Sequence, residues 1–321
     1  MDPADQRSLP SQRHHVQPVH RRPEGRRHRG RPQGPRRPRR QRAGSVHRPR
    51  RGRLCGRYRG RRFLTGPVRP VLGAQNPRIA ELRRLIGRRS SRSDDIVIEG
   101  PRTVGEALDA GCQPSVVIVP EHAEDDAVVV AVERRLPASA EFLLVRDHVF
   151  ERLAPSTTPQ PMLAIVARPA SSLPAAPSVV LVLAGVGDPG NLGTLVRAAD
   201  AVAADAVVVV GGADPWGPKA VRASAGSMLR VPIVQHDQLS DAVDALRDAG
   251  VTVVGTDVTG GEPFDQGVLD RPVAIVMGSE PHGLDRDVDL DAWAHIAMPG
   301  RTESLNVAMA GTLLLYEACR S

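Results

Sequence analysis

VVLVLAGVGDPGNLGTLVRAADA, residues 179–201, decides how the chain folds. Its first seven residues carry no polar side chain, which suits a strand buried on both faces within a parallel sheet. After a glycine-rich turn, Leu192, Leu195, Val196 and Ala199 recur at helical spacing. Gly185, Gly187 and Gly190 match the G-x-G-x-x-G pattern in the strand–turn–helix setting of a nucleotide site. Two features count against a dinucleotide. Pro189 lacks the N–H that would face a pyrophosphate, and the next strand ends in Gly211-Gly212, without the acidic residue that binds a ribose. Asn191 reads as the helix N-cap. Arg197 stands in apolar company. It is expected to pair with Asp200, to snorkel, or to reach for a phosphate or sugar.

The same alternation continues downstream. AVVVVGG (206–212) reads as a strand, 218–228 as a helix, VPIV as a strand and LSDAVDALRDAG as a helix. VTVVGT (251–256), PVAIVMG (272–278) and the short HIAM follow as strands, and ESLNVAMAGTLLLYEACR closes the chain as a helix. The pattern predicts a parallel sheet covered on both faces, with ligands at the carboxyl ends of its strands. The informative residues should then lie just after 185, 211, 255, 278 and 298. In VMGSEPHGL (276–284), Gly278 permits close backbone approach, Glu280 puts a carboxylate at the sheet edge and Gly283 permits a positive φ. In IAMPGRTESLNVAMAG (296–311), Thr302, Glu303 and Ser304 are candidate caps. Asn306 falls inside the helix start, where Asn is disfavoured unless it is exposed or used by a ligand.

Upstream, strands near 94–100, 115–120, 141–145 and 162–166 alternate with helices near 101–111 and 123–135, which predicts a small α/β domain over 76–168. A basic helix over 78–92 (Arg78, Arg83, Arg84, Arg88, Arg89, Arg92) reads either as a phosphate grip or as a solvated face. Residues 169–177, rich in proline and small residues, read as a linker, and 178–321 as the second domain. Formal charge is +7, but it is divided unevenly: residues 1–70 hold 22 of the 43 basic side chains against three acids, and the other 251 residues hold 21 basic and 33 acidic. The basic total therefore describes a tail and is no argument for nucleic acid. Residues 1–72, mostly Arg, Pro and Gly, are expected to be disordered. They read as an RNA-binding arm, an idle solvated tail, or the product of a start codon set too far upstream. Lys219 is the only lysine, a bias that reads as codon usage rather than mechanism. No apolar run reaches the ~18 residues of a membrane span, and the Arg-rich start does not resemble a secretory signal. Cys55, Cys112 and Cys319 form neither a disulfide framework nor metal-ligand spacing. A reduced, cytoplasmic, soluble protein is expected.

DPGNLGTLVRAADA (188–201), AIVMGSEPHGL (274–284) and HIAMPGRTESLNVAMAGTLLLYEA (295–318), in that order, resemble the three motifs of the SpoU/TrmH family of RNA 2′-O-ribose methyltransferases within the SPOUT class. KAVRASAGSMLRVPI (219–233) is similar to that family's connecting segment, and 76–168 to the small RNA-binding domain that many members carry in front. The resemblance implies an α/β fold: a C-terminal knotted parallel-sheet SPOUT domain preceded by a small α/β RNA-binding domain. It implies S-adenosylmethionine as methyl donor and no metal. The donor would be held by three loops corresponding to 254–256, 277–280 and 296–305, with Thr256, Gly278, Ile296, Met298 and Leu305 as cofactor-binding residues. The family's catalytic positions fall on Asn191, Arg197, Glu280, Ser304 and Asn306. Arg197 is expected to clamp an RNA phosphate rather than act as a base, because a free guanidinium holds its proton to above about pH 12. A homodimer is implied, acting on 23S ribosomal RNA. Transfer RNA and a non-catalytic RNA-binding protein on the same fold are the alternatives.

Overall fold

The structure, a computed structural model, describes residues 69–87 and 94–320. The Arg-rich segment up to residue 68, Cys55, and Arg88, Arg89 and Arg92 of the expected basic helix lie outside the described residues. The front of the chain forms a five-stranded sheet. Its strands are β1 (Val71–Leu72), β2 (Asp95–Glu99), β3 (Pro114–Pro120), β4 (Glu141–Val145) and β5 (Leu163–Ala167), in the order β1-β4-β3-β5-β2. β1, β4 and β3 run parallel, and β5 is antiparallel to both β3 and β2. α1 (Pro77–Gly87) and α4 (Asp147–Leu153) cover one face with Ile79, Leu82, Val149 and Phe150. α2 (Pro101–Asp109) and α3 (Ala127–Glu133) cover the other. The expected helix over 123–135 is shorter because Asp126 caps α3, accepting from the N–H groups of Val128 and Val129.

The second sheet has seven strands, all parallel: β6 (Val179–Ala184), β7 (Ala206–Val210), β8 (Ile233–His236), β9 (Thr252–Asp257), β10 (Glu262–Pro263), β11 (Val273–Met277) and β12 (Ala292–His295). The order is β10-β12-β9-β11-β6-β7-β8. α5 (Pro189–Ala201), α6 (Pro218–Ala223), α7 (Leu239–Asp248) and α8 (Val307–Arg320) cover it. β6 shows why its run is unbroken by polar residues: Leu181 and Leu183 pack toward α5 and α8, and Val180 and Val182 pack toward α7. From β6 the chain moves outward through β7 and β8, then crosses to β9 beyond β11. The direction of winding reverses there, and in open parallel sheets that is where ligand crevices form.

Five local expectations need correction. α5 begins at Pro189, and its cap is Asp188 rather than Asn191. The Asp188 carboxylate accepts from the N–H groups of Gly190 and Asn191, and proline is suited to the first helical position. The helix near 218–228 ends at Ala223 because Ala225 and Gly226 adopt φ of +48° and +87°. The strand read as HIAM lies three residues earlier, at Ala292–His295. α8 begins at Val307, not Glu303. Asn306 precedes it as a cap, its Oδ1 accepting from Ala308 N at 2.9 Å and Met309 N at 3.4 Å.

Candidate active site

Three loops meet at the carboxyl ends of β6, β11 and β12. The first leaves β6 through Gly185, whose φ is +77°, and places Asn191 in the first turn of α5. The second leaves β11 and folds back on itself, with Ser279 and Gly283 exchanging backbone hydrogen bonds of 3.1 and 2.8 Å. The close approach permitted by Gly278 serves this turn, since a Cβ there would collide with the Gly283 carbonyl. Gly283 takes the positive φ expected of it, +66°. The third loop, 296–306, ends at the cap of α8.

Side chains from the three loops form a hydrogen-bonded chain. Asn306 Nδ2 donates to Asn191 Oδ1 at 3.2 Å, and Asn191 Nδ2 donates to Glu280 Oε1 at 3.1 Å. Glu280 also accepts from the N–H groups of Gly187 (3.0 Å) and Asp188 (3.3 Å). Partial burial acts on the Glu280 carboxyl most strongly and upward. The donated N–H groups of Gly187, Asn191 and Asp188 together outweigh it and hold the group below its ordinary value. An ionised Glu280 can only accept, so it sets the direction of the whole chain. Asn191 must turn its nitrogen to Glu280 and its oxygen to Asn306, whose own oxygen faces the helix N–H groups. Each amide keeps one N–H unspent.

A cleft of about 480 Å³ opens beside this chain. Thr256, Gly278, Ile296, Met298 and Leu305 all line it, as do Glu280 and Ser304. Its walls mix apolar side chains with carboxylates. The Thr256 hydroxyl is tied down, donating to the Val276 carbonyl at 2.9 Å. The structure thus brings the five expected cofactor-binding residues to one cleft and draws Asn191, Glu280 and Asn306 into direct contact at its edge. Ser304 is exposed on the lining. Arg197 stands apart. Six residues beyond Asn191 it points about 120° around the helix, exposed and without an ion pair among the described residues. Its expected partner Asp200 is taken by Arg230 at 2.6 Å.

The cations available to meet phosphate behave differently from one another. Arg78 is engaged by Glu141 and Glu81, Arg230 by Asp200 and Glu106, and Lys219 by Asp188. Arg197, Arg222 and Arg301 are exposed with no ion pair among the described residues. Two features escaped sequence reasoning. One is the Asp188–Lys219 pair, for which the Asp-Pro step of a helix start was the available signal. The other is the wall behind the cleft, where Arg286 pairs with Asp257 and lies 4.3 Å over the Trp293 ring. No local pattern announces that contact.

Residues 178–316 match the model of the SpoU rRNA Methylase family, and 76–164 match that of the MRM3-like substrate binding domain. A Bacillus subtilis protein named 23S rRNA (guanosine(2553)-2′-O)-methyltransferase RlmP is 32% identical over 257 residues, 78% of this chain and 98% of its own length. A Streptomyces viridochromogenes protein named 23S rRNA (uridine(2479)-2′-O)-methyltransferase is 29% identical, over 82% of this chain and 96% of its own. The solved structure of an AdoMet-bound rRNA methyltransferase from Sinorhizobium meliloti superposes with a TM-score of 0.68 at 30% identity, covering 78% of this chain and 98% of that one. With the three loop motifs in place and near-complete coverage of the Bacillus relative, the chain belongs to the SpoU/TrmH family of RNA 2′-O-ribose methyltransferases.

Proposed function

We propose that the chain transfers a methyl group from S-adenosylmethionine to a ribose 2′-oxygen of 23S ribosomal RNA. The observation that carries this reading is the chain Asn306–Asn191–Glu280 at the edge of the cleft. The cleft fits the methyl donor. Its volume is within the ~300–1,000 Å³ typical of small-molecule sites. Met277, Ile296, Met298 and Leu314 offer an apolar wall for a base, and Asp257, Glu280 and Glu303 bring negative charge to receive a cation. Thr256, Gly278, Ile296, Met298 and Leu305 would hold it. When bound, S-adenosylmethionine supplies an electrophilic methyl group on a positively charged sulfur.

Orientation is what this chain's own residues contribute. The unspent N–H groups of Asn191 and Asn306 are free to fix a ribose oxygen at the mouth of the cleft, and Ser304 offers a further hydroxyl there. Glu280 keeps both amides in register. With its oxygens already accepting three hydrogen bonds and its pKa held low, it is a poor base. Arg197 suits a clamp on an RNA phosphate, stabilising developing oxyanion charge while the proton leaves through phosphate or water. An Arg197→Lys protein with undiminished turnover would remove the bidentate clamp from this account.

The domain assignment follows the same reading: 76–168 binds RNA, 169–177 links, and 178–321 catalyses. Knotted threading is supported by the path of the chain end, which passes β9 at β12 and returns as α8 to pack on α5, β6 and β11. A second copy of the chain is proposed to cover the exposed stripe Met309, Leu313 and Tyr316 on α8, close to Asn306. A 23S RNA substrate puts the work in the cytoplasm. Among the described residues no helix is long and apolar enough to cross a membrane. The test is transfer of label from radiolabelled S-adenosylmethionine to total RNA by the full chain, followed by digestion to locate the nucleotide. Label in a 2′-O-methyl nucleotide of 23S RNA is the expected result. Label in transfer RNA would redirect the substrate, and cofactor binding with no label in any RNA would make this a binding protein.

A further inference from the structure

Of 43 strongly basic side chains, Lys219 is the only lysine. A bias toward arginine explains why lysine is rare; it does not explain where the one lysine stands. α6 lays it against the first turn of α5, where its Nζ donates to Asp188 Oδ2 at 2.7 Å. The other carboxylate oxygen, Oδ1, accepts from the N–H groups of Gly190 and Asn191 at 2.6 and 3.0 Å. The Asp188 N–H in turn donates to Glu280 at 3.3 Å. The lysine stem and the Asp188 carboxylate both close on Gly190, where an added Cβ would lie 2.6 Å from Asp188 Oδ1 and 3.5 Å from Lys219 Cε. Through one carboxylate, the ammonium therefore holds the turn that carries Asn191 and receives Glu280. Asp188 leaves a single oxygen for this contact. A compact ammonium suits it better than a planar guanidinium built to meet two oxygens. Removal of the cation would leave two carboxylates, Asp188 and Glu280, on one short turn with only uncharged donors, backbone N–H groups and the Asn191 amide, to offset them.

We propose that Lys219 is a further positioning residue of the methyl-transfer site, its ammonium holding residues 186–191 in the geometry that joins Asn191 to Glu280. The proposal rests on the methyltransferase reading above. Lys219 works through Asp188, and the reacting atoms are left to Asn191, Asn306 and Arg197.

The test compares the full-length wild type with Lys219→Met and Lys219→Arg. Hydrogen exchange of the peptide spanning 185–192 reports on the turn whether or not RNA is methylated. Steady-state kinetics on the labelled RNA give kcat and KM, and direct titration gives the dissociation constant of S-adenosylmethionine. Lys219 also allows a chemical version. Its side chain is 56% exposed, and the only other amine is the chain terminus, so amine reagents address one side chain. Acetylation removes the charge and reductive methylation keeps it; Lys219→Arg treated in parallel controls for the terminus.

In Lys219→Met, exchange over 185–192 should quicken and kcat should fall between about ten- and a hundredfold, as a slightly misplaced site loses rate. Cofactor affinity and KM for RNA should stay within error. Acetylated wild type should match Lys219→Met. Lys219→Arg and the reductively methylated protein should retain clearly more rate than either. Unchanged exchange over 185–192 in Lys219→Met would overturn the proposal, as would unchanged kcat. So would an arginine variant and a methylated protein no better than Lys219→Met, because the loss would then be one of packing and not of charge. If the wild type itself methylates no RNA, the functional reading fails first, and exchange over 185–192 still decides whether Lys219 holds the turn.

Discussion

Glycines around the front sheet are free of backbone collisions, whereas several in the seven-stranded sheet are pressed against other backbone. Between residues 69 and 167, a Cβ added at any described glycine meets nothing nearer than 3.3 Å. In the second sheet, a Cβ at Gly193 would strike the Ala220 carbonyl on α6, and one at Gly278 would strike the Gly283 carbonyl. Surface ion pairs serve both regions: Arg78 with Glu141 and Arg135 with Asp109 in front, Arg247 with Asp291 and Arg286 with Asp257 behind. The second region adds the side-chain amides Asn306–Asn191–Glu280, which join loops 89 and 115 residues apart. The front sheet is held by contacts that tolerate adjustment. The second brings backbone to backbone so that three loops arrive at one place.

Gly278→Ala is the most severe way to break that arrangement. The obstacle is backbone, so the 279–283 turn must move as a whole and carry Glu280 with it. Overpacking of this kind costs about 1–3 kcal/mol, which should appear in calorimetry as a drop in Tm of several degrees. Binding of S-adenosylmethionine, measured by titration, should be lost at concentrations that saturate the wild type. Retained binding would mean that the turn is not what shapes the cleft.

Glu280→Gln asks for less movement and should cost mainly rate. The new side chain keeps its size but offers an amide N–H where Gly187, Asp188 and Asn191 present only donors. The direction of the Asn191–Asn306 chain is then no longer dictated. A fall in kcat of about tenfold to a hundredfold is expected, with the thermal midpoint moving much less than in Gly278→Ala. The front-sheet counterpart is Glu141→Gln, which breaks the ion pair with Arg78. Exposed pairs contribute about 0–1 kcal/mol, so this variant should keep wild-type turnover. Equal losses of rate in the two variants would erase the distinction between the regions.

Much of this was legible in the residues. The unbroken apolar run of β6, the helical spacing of α5, and the Gly278–Glu280–Gly283 pattern located the sheet and two of its three loops. The third loop is where the residues mislead. Leu305, Val307 and Met309 extend an apolar pattern backward, which predicts a closing helix from Glu303 with Asn306 inside it. The dislike of asparagine for helix interiors was the evidence of a boundary there. At the start of α5 the reading of Asn191 as cap overlooks Pro189: proline is favoured at the first helical position, which puts the cap at Asp188. The pairing of Asn191 with Asn306 and Glu280, the stacking of Arg286 on Trp293, and the crossing of β9 beyond β11 depend on contacts between distant segments. Periodicity cannot report them.

Acid should separate the two regions by what it disturbs. Asp188 is held below its ordinary 3.8, first by Lys219 and then by the N–H of Asn191, and Glu280 below its ordinary 4.5. In front, Arg78 holds Glu81 down and His122 holds Asp147 down. A carboxyl whose folded pKa is depressed contributes stability above its unfolded pKa and loses it as pH falls through the folded value. The midpoint of thermal unfolding should therefore stay level from neutral pH to the ordinary carboxylate range and decline below it, with both regions contributing. Binding of S-adenosylmethionine should decline over the same window, through the cleft carboxylates Asp257 and Glu280. Glu280→Gln should accordingly show a shallower acid dependence of binding than the wild type, and Glu141→Gln an unaltered one.

Gly105→Ala should have the smallest effect and is the most direct check on the contrast in glycine use. Gly105 is buried on α2, yet the nearest atoms to an added Cβ are Arg135 Nη1 at 3.6 Å and Val132 Cγ2 at 3.8 Å. Both are ordinary contact distances, and the first belongs to the far end of a flexible side chain. Alanine in a helix interior is favoured over glycine by about 0.5–1 kcal/mol, because less backbone freedom is lost on folding. The midpoint should hold or rise slightly, and methyl transfer should be unaffected. Gly193→Ala, the same substitution on α5, should be destabilising, since its obstacle is the Ala220 carbonyl and the helix it would displace carries Asn191. Opposite signs for one chemical change in two helices would show that the tight backbone packing belongs to the site-bearing sheet, and equal signs would show that it does not.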